Sequence, residues 1–179
     1  MLTETPRLRL RQWTEKDKEP FAQLNSDPEV MRFLRPVMTR AESDAAIEAQ
    51  MALMEKGEPA FWAAARKSDD HLIGCIGVKH VSFEASFTPT YEIGWRLARE
   101  HWGLGYATEG AKAALGLAFA NWEISEIHSF TVLANVKSQA VMTRVGMSRV
   151  EGGDFDHSAL AKDDPLLRHV LYRIKKRDN

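Results

Sequence analysis

The chain has 179 residues, and its hydrophobic fraction of 44% and charged fraction of 27% are ordinary for a globular protein with one buried core. We therefore expect a single domain over residues 1–179. The formal net charge of −1 lacks the basic excess of nucleic-acid-binding proteins, so no nucleic-acid partner is expected. The sequence has no long apolar run and no secretory signal, which predicts a cytoplasmic protein without a membrane partner.

Cysteine and histidine are the residues that most often bind metals, and the chain has one cysteine and six histidines. Cys75 lies between Gly74 and Ile76 in an apolar strand pattern, which favours a buried packing residue over a nucleophile. The histidines are scattered, without a His-x-x-x-His pair on a predicted helix. We expect neither a metal site nor an intrachain disulfide.

The first 60 residues predict one strand followed by helices. Residues 7–11 alternate charged and apolar side chains, as a half-buried strand does. Thr14 is typical of a helix N-cap, and Asp27 before a proline opens a short helical turn. Thr39 caps a longer helix, with Glu42 three residues later in a capping box.

The rest of the chain alternates predicted strands and helices. Strands are predicted over residues 60–66, 71–81, 88–97, 124–133, 147–151 and 169–174, and helices over 111–122 and 135–145, with an irregular segment over 152–166. Glycines at 74 and 77 indicate a bulge or a close backbone approach within the second of these strands. The order predicts an α/β (α+β) fold with helices on both faces of one mixed sheet.

Residues 102–110, Trp-Gly-Leu-Gly-Tyr-Ala-Thr-Glu-Gly, stand between a predicted strand and a predicted helix. Glycine permits a tight turn and lets a ligand approach the backbone closely. Unused N–H groups at a helix N-terminus, together with the helix dipole, favour an anion. The segment is therefore a candidate phosphate or pyrophosphate site, although a plain helix N-terminus with glycines for the turn has the same pattern.

This segment lacks residues that two common nucleotide-binding motifs require. The dinucleotide fingerprint requires a third glycine where this chain has Thr108. The P-loop spacing is met by Gly105 and Gly110, but Ala111 stands in place of the lysine and Lys112 comes one residue too late.

Residues 92–97 and 102–110 together resemble the acetyl-CoA signature of the GNAT superfamily of N-acetyltransferases, usually written Arg/Gln-x-x-Gly-x-Gly/Ala. Trp102 holds the first position, Gly105 the fixed glycine and Ala107 the last small residue. Tryptophan at the first position is similar to the Rim-type subgroup, which contains the ribosomal-protein N-terminal acetyltransferases.

Two further segments carry the resemblance. Asn135-x-x-Ser138, followed by Gly146 and Met147, is similar to the family's Asn-x-x-Ser segment and its Gly-Phe end. Residues 156–157 and 165–173 are similar to the C-terminal part of many Rim-type members. Because asparagine is also a preferred helix N-cap, Asn135 has a capping role as its alternative.

The resemblance implies a mostly antiparallel sheet, acetyl-CoA as acetyl donor and no metal. Backbone groups at the end of one central strand would hold the pantetheine arm and polarise the thioester carbonyl, and the glycine segment would hold the pyrophosphate. The residues expected to contact acetyl-CoA are Trp95, Arg96, Leu97, Trp102, Gly103, Leu104, Gly105, Tyr106, Ala107, Thr108, Asn135 and Ser138.

The family's proton carriers do not transfer directly. A tyrosine seven residues after the asparagine corresponds to Met142, and a glutamate five residues before it corresponds to Phe130. We expect Ser138 on the thiolate side and His157 as the base, with Glu92 as a second candidate base because its strand leads to the site. The alternatives are an ordinary loop histidine at 157 and a solvent-facing or paired strand carboxylate at 92.

The acceptor is the least determined part of the prediction. Residues expected at its cleft are Phe33, Leu34 and Trp62. A protein N-terminus is the first expectation, and a small amine such as an antibiotic or polyamine is the alternative, since acidic side chains at 27, 29 and 42 would attract a cation. A non-catalytic acyl-CoA-binding module and a nucleotide-binding regulator are other classes, and a homodimer is a further expectation.

Overall fold

The structure, a computed structural model, describes residues 2–34 and 36–176. Within these residues, five α-helices and nine strands follow the order predicted from the sequence, with two short strands, at Thr3–Glu4 and Phe155–Asp156, that the sequence did not predict. The strands are β1 (Thr3–Glu4), β2 (Leu8–Arg11), β3 (Phe61–Arg66), β4 (Leu72–His80), β5 (Tyr91–Leu97), β6 (Glu126–Val132), β7 (Ser148–Arg149), β8 (Phe155–Asp156) and β9 (Arg168–Lys175). The helices are α1 (Lys18–Ser26), α2 (Pro28–Met31), α3 (Arg40–Glu55), α4 (Tyr106–Asn121) and α5 (Val136–Arg144).

One mixed, mostly antiparallel sheet contains all the strands, in the order β1-β2-β3-β4-β5-β6-β9-β7, with β8 also on β9. The parallel pair is β5 with β6, at the centre of the sheet. β5 pairs with β4 from Tyr91 to Leu97 but with β6 only at Tyr91 and Glu92. The backbone pairing of these two strands ends at Glu92, and we call the unpaired space between them beyond that residue the gap.

Two hydrophobic cores lie on opposite faces of the sheet. The larger core packs α4 and α5 against β2 to β6 and β9, through residues such as Ala114, Ile76 and Ile127. The second core packs α1 and α3 through Phe21 and Ile47. Period-two alternation along each strand divides neighbouring residues between the two cores.

Local sequence signals explain several element boundaries. The predicted capping box of Thr39 and Glu42 begins α3, with Thr39 N–H 2.7 Å from the Glu42 carboxylate. The Asp27 side chain accepts from Glu29 N–H at 2.9 Å and begins α2. The predicted caps at Asp27 and Thr39 are confirmed.

The glycines of β4 mark close backbone packing. A Cβ at Gly74 would overlap the Arg96 carbonyl, and one at Gly77 would overlap the Ala60 carbonyl. The β3–β4 register shifts beside Gly74, which confirms the predicted bulge. Cys75, on the same strand, is 5% exposed, and burial raises the pKa of its thiol.

Some predicted bounds change in the structure. The strand expected from residue 88 begins at Tyr91, because Pro89 has no N–H for a ladder. The helix expected from residue 111 begins five residues earlier, at Tyr106, directly after the glycine turn. The strand expected over 147–151 is reduced to β7, and the irregular segment 152–166 contains β8. In the described part of the chain, no helix has the length and apolar character needed to span a bilayer.

Candidate active site

The gap between β5 and β6 is the central feature of the site. Past the last backbone pairing, the Ser129 hydroxyl donates to the Ile93 carbonyl at 3.0 Å. The edge of β5 from Gly94 to Leu97 then faces the gap instead of the β6 backbone. β5 and β6 run parallel, so their ends, and the N-termini of α4 and α5 that follow them, meet at the same edge of the sheet.

The donor loop, residues 102–108, turns the chain from β5 into α4. Gly103 and Gly105 have φ values of 74° and 84°, in the left-handed region that favours glycine. Gly105 is the N-cap of α4 and provides no side-chain cap. The first bond of the helix runs from Glu109 N–H to the Gly105 carbonyl at 3.0 Å, which leaves the N–H groups of residues 106–108 unused by the helix. This geometry suits a phosphate or pyrophosphate.

A clamp from the start of the chain holds the donor loop. Arg7 donates to the Leu104 carbonyl at 2.9 Å and to the Glu109 carboxylate at 2.7 Å, and the Thr5 hydroxyl donates to Glu109 at 2.6 Å. Burial acts to raise the pKa of Glu109, but the hydrogen bonds from Thr5 and Arg7 outweigh it and leave the pKa lowered. Sequence reasoning did not find this clamp, because its partners lie about a hundred residues apart.

Trp102, the first residue of the donor loop, contacts the end of β5 and the start of α5. Its indole N–H donates to the Leu97 carbonyl at 2.8 Å, which ties the loop to the end of β5. The Lys137 ammonium lies 4.8 Å from the Trp102 ring centroid, which links the loop to the start of α5. The first position of the signature is therefore occupied by a side chain that joins three elements.

Asn135 is the N-cap of α5, and its side chain is hydrogen-bonded on both sides. The Asn135 amide oxygen accepts from Ser138 N–H at 3.3 Å, and its amide nitrogen donates to the Thr131 hydroxyl at 3.0 Å. The capping alternative for Asn135 is thus present in the structure. Ser138 lies in the first turn of α5 and is half-buried.

Glu92 and Arg96 share one face of β5, the acceptor face, which is the side of the sheet covered by α1 and α3. The Glu92 carboxylate is 17% exposed and lies 3.2 Å from the ammonium of Lys79, its cross-strand neighbour on β4. Burial raises the pKa of Glu92, and Lys79 opposes that shift. On the other side, the register partner of Glu92 is His128 of β6.

Arg96 connects the half of β5 beyond Glu92 to the helices of the acceptor face. Its guanidinium donates to the Asn25 side chain and lies 5.8 Å from the Phe21 ring centroid. Asn25 is fully buried. Its side-chain amide donates to the Ser43 hydroxyl at 2.9 Å, and its backbone carbonyl accepts from Met38 N–H at 3.0 Å. A buried asparagine in an amphipathic helix was the sequence signal for this network, and sequence reasoning missed it.

His157 lies away from the donor loop, in the segment after β8. Its ring centroid is 4.1 Å from that of Phe83 and 5.3 Å from that of His169. Its Nδ1 accepts from Ala159 N–H at 3.3 Å. The structure thus places His157 among aromatic rings on the β6–β9 half of the acceptor face, opposite the half that carries Glu92.

The three residues predicted at the acceptor cleft have different surroundings. Phe33 is half-buried and Leu34 is 42% exposed, in the turn after α2. Trp62 is 1% exposed and stacks on Trp122 with centroids 6.3 Å apart, in the core that packs α4. Trp62 therefore does not lie on the acceptor face, contrary to the prediction. Its neighbour Phe61 packs on that face instead.

The three acidic residues expected to attract a cationic acceptor are engaged in caps or in an ion pair. Asp27 caps α2, Glu42 belongs to the capping box of α3, and Glu29 lies 4.0 Å from Arg32. Across residues 2–34 and 36–176, no group of three or more His, Cys, Asp or Glu side chains is arranged to hold a metal ion.

Comparison with known proteins identifies the domain. A family model described as an acetyltransferase (GNAT) domain matches residues 7–148. The chain is 30% identical over 148 residues to YnaD of Bacillus subtilis, which is named as an uncharacterized N-acetyltransferase, and the match covers 81% of each chain. It is 31% identical over 156 residues to the FsC-acetyl coenzyme A-N(2)-transacetylase of Aspergillus fumigatus, covering 82% of this chain and 65% of the relative.

Solved structures share the fold across nearly the whole chain. A GNAT-family acetyltransferase from Bacillus anthracis has a TM-score of 0.79 at 24% identity and covers 98% of both chains. RimL, described as a ribosomal L7/L12 alpha-N-protein acetyltransferase in complex with coenzyme A, also has a TM-score of 0.79, at 15% identity, over 97% of both chains. At these identities the likeness shows the fold.

Proposed function

The chain belongs to the GNAT family and is an acetyl-CoA-dependent N-acetyltransferase, and we propose that its acceptor is the α-amine of a polypeptide, as in the Rim-type subgroup. The observation that carries the proposed site is the gap beyond Glu92, with the donor loop at its end and the Glu92 carboxylate at its base. We propose residues 1–179 as one acetyltransferase domain.

The donor loop fits the pyrophosphate of acetyl-CoA. Two glycines with positive φ and unused N–H groups at the start of α4 are the features that such a group requires. We assign the backbone N–H groups of residues 103–108 to the pyrophosphate and the free edge of β5 at Trp95, Arg96 and Leu97 to the pantetheine arm. Bound acetyl-CoA supplies the acetyl group as a thioester.

We also assign the polarisation of the thioester carbonyl to backbone N–H groups on the unpaired edge of β5. A fixed N–H donor at the place where charge develops on the carbonyl oxygen stabilises the transition state. The start of α5 borders the same gap. We assign the Ser138 hydroxyl as the hydrogen-bond donor to the leaving thiolate and Asn135 as the residue that holds the start of α5 in place.

Glu92 is the best-placed base for the amine. An amine attacks only when it is neutral, so a proton acceptor near the gap increases the reactive fraction. Burial raises the pKa of Glu92 towards the operating pH, which improves its match to that task. His157 is the second candidate, because its ring stacks in an aromatic cluster and its Nδ1 already accepts a backbone hydrogen bond.

Support for a polypeptide acceptor comes from two sources. Trp102 and residues 165–173 resemble the Rim-type subgroup, and structures sharing this fold include proteins named as ribosomal-protein acetyltransferases. A small-molecule amine is the second candidate. It is favoured by the Aspergillus fumigatus relative, because the name of that enzyme refers to FsC and not to a ribosomal protein.

Release of the coenzyme A thiol, measured across a panel of N-terminal peptides and small amines, tests the acceptor proposal. Turnover of peptides above that of every small amine is the expected result, and preference for a small amine contradicts it. The same assay is run on the His157→Ala and Ser138→Ala variants and on the parent protein. A fall in kcat at unchanged acetyl-CoA affinity supports the role assigned to that residue, and an unchanged kcat removes that residue from the mechanism.

A further inference from the structure

A cluster of aromatic rings covers the β6–β9 half of the acceptor face. We call it the aromatic wall and define it by the rings of Phe83, Phe87, Phe130, Phe155, His157 and His169. Its ring centroids lie 4.1 to 6.3 Å from their neighbours, mostly in edge or tilted contacts. Phe83, Phe87 and Phe130 are half-buried, so each presents part of a ring at the surface of the wall.

The aromatic wall begins beside the proposed base. His128 is the register partner of Glu92, and its ring centroid lies 5.3 Å from that of Phe87. Phe130 follows two residues later on β6 and therefore shares the face of His128 and Glu92. Through His128 and Phe130, the aromatic wall is therefore continuous with the face of β5 that carries Glu92.

The charges on this face do not suit a polycation. Glu92 is paired with Lys79, and Arg96 brings another positive group to the same face. Burial lowers the pKa of His128 and of His169, which keeps both rings neutral near pH 7. The acidic side chains of the α2–α3 region are used in caps and in an ion pair.

We infer that the acceptor carries an aromatic or bulky apolar group next to its amine, and that the aromatic wall selects this group. The inference rests on the proposed function, because it takes Glu92 as the place where the amine binds. For a polypeptide acceptor, the selected group is the side chain of the first residue. Aromatic rings contact an aromatic or aliphatic group favourably. A polar or charged group placed against the same rings loses hydrogen bonds to water that the rings do not replace.

Peptides that differ only in their first residue test the inference. The panel has phenylalanine, leucine, serine, aspartate and lysine at that position, with phenethylamine and spermidine as small amines. We expect kcat/KM for the phenylalanine peptide to exceed that for the serine peptide by about tenfold, the size of discrimination typical of an apolar pocket. Equal rates, or preference for serine, aspartate, lysine or spermidine, overturn the inference.

The panel separates this inference from the proposed function. Preference for the serine peptide overturns the inference and leaves a polypeptide acceptor in place. Turnover of phenethylamine without turnover of any peptide supports the inference and overturns the polypeptide acceptor. Failure of phenethylamine and of both the phenylalanine and leucine peptides to accept acetyl groups overturns the inference, whichever polar or charged acceptor is acetylated.

Phe87→Ala tests whether the wall itself makes the selection. Phe87 lies in the loop between β4 and β5, and we expect its removal to lower the phenylalanine-to-serine ratio of kcat/KM at least threefold. Phe119→Ala is the matched control, because Phe119 packs on α4 against the opposite core. Phe87→Leu keeps the bulk if the alanine variant does not fold, and a smaller loss of the ratio is expected there. An unchanged ratio in both Phe87 variants overturns the inference.

Discussion

The donor loop and the acceptor face are built in different ways. The donor loop is one continuous segment, and the groups that it offers are backbone N–H groups in a turn fixed by two glycines. The acceptor face offers side chains from β4, β5 and β6, from the loop between β4 and β5, and from the segment around β8. A backbone site tolerates changes of side chain, whereas a side-chain site changes its selectivity with each substitution. One fold can therefore keep its donor while its acceptor varies.

Glu92→Gln tests the side-chain region most severely. Glutamine keeps the shape of the side chain but accepts no proton, so we expect kcat to fall about 100-fold, the lower range for loss of a general base. Acetyl-CoA affinity, measured by calorimetry, stays unchanged. Glu4→Gln is the control, because Glu4 is also a strand carboxylate in an ion pair, but on the far edge of the sheet. A fall of less than threefold would show that Glu92 is only a paired strand carboxylate.

Gly105→Val tests the backbone region. A β-branched residue is disfavoured at φ 84°, and its Cβ would lie 3.3 Å from the Arg7 guanidinium. We expect acetyl-CoA affinity to weaken about tenfold. Thr108→Ala removes a side chain of the same loop but keeps its N–H, so its affinity stays near that of the parent. Equal weakening in both variants contradicts a site built from backbone groups.

Asn135→Ala affects a residue that serves both the fold and the site. Loss of the N-cap and of the bond to Thr131 lowers the free energy of unfolding by about 1 kcal/mol. The first turn of α5 then becomes less ordered beside the gap, and the KM for acetyl-CoA rises a few fold. Asn135→Asp keeps the acceptor oxygen and retains most of the cap. A stability loss without any change in KM would limit Asn135 to capping.

Lys79→Met gives the smallest effect, a shift in the pH profile. Burial raises the pKa of Glu92 and Lys79 lowers it, so removal of the ammonium raises the pKa further. Because the base acts when deprotonated, activity is lost as pH falls through this pKa, and the acid limb of kcat/KM moves to higher pH. His128, the register partner of Glu92 on β6, stays in place. An acid limb at the parent's pH contradicts the assignment of Glu92 as base.

The sequence predicted the contiguous parts of this molecule well. The order of strands and helices, the two caps at Asp27 and Thr39 and the glycine turn all follow from residues close together in the chain. Such signals act through local hydrogen bonds and allowed backbone angles, so spacing alone is enough to read them. Bounds were less well predicted where proline or glycine changed the end of an element.

Contacts between distant segments could not be read in the same way. Trp62 was expected at the acceptor cleft, yet its neighbour Phe61 faces that side, because adjacent strand residues point to opposite faces. From the sequence, Phe130 was noted as the residue at the position of a glutamate of the family. Its place in the aromatic wall depends on the β5–β6 register. No local signal fixes that register, so the acceptor face became visible only in three dimensions.

Cys75 has a practical consequence for following this molecule by spectroscopy. It is the sole cysteine of the sequence, it is buried, and burial raises the pKa of its thiol, so little thiolate is present to react. A cysteine introduced at the exposed position Ser86 would therefore be the single site that a maleimide dye labels in the folded protein. The emission of that dye would report how the loop over the aromatic wall responds as an acceptor arrives.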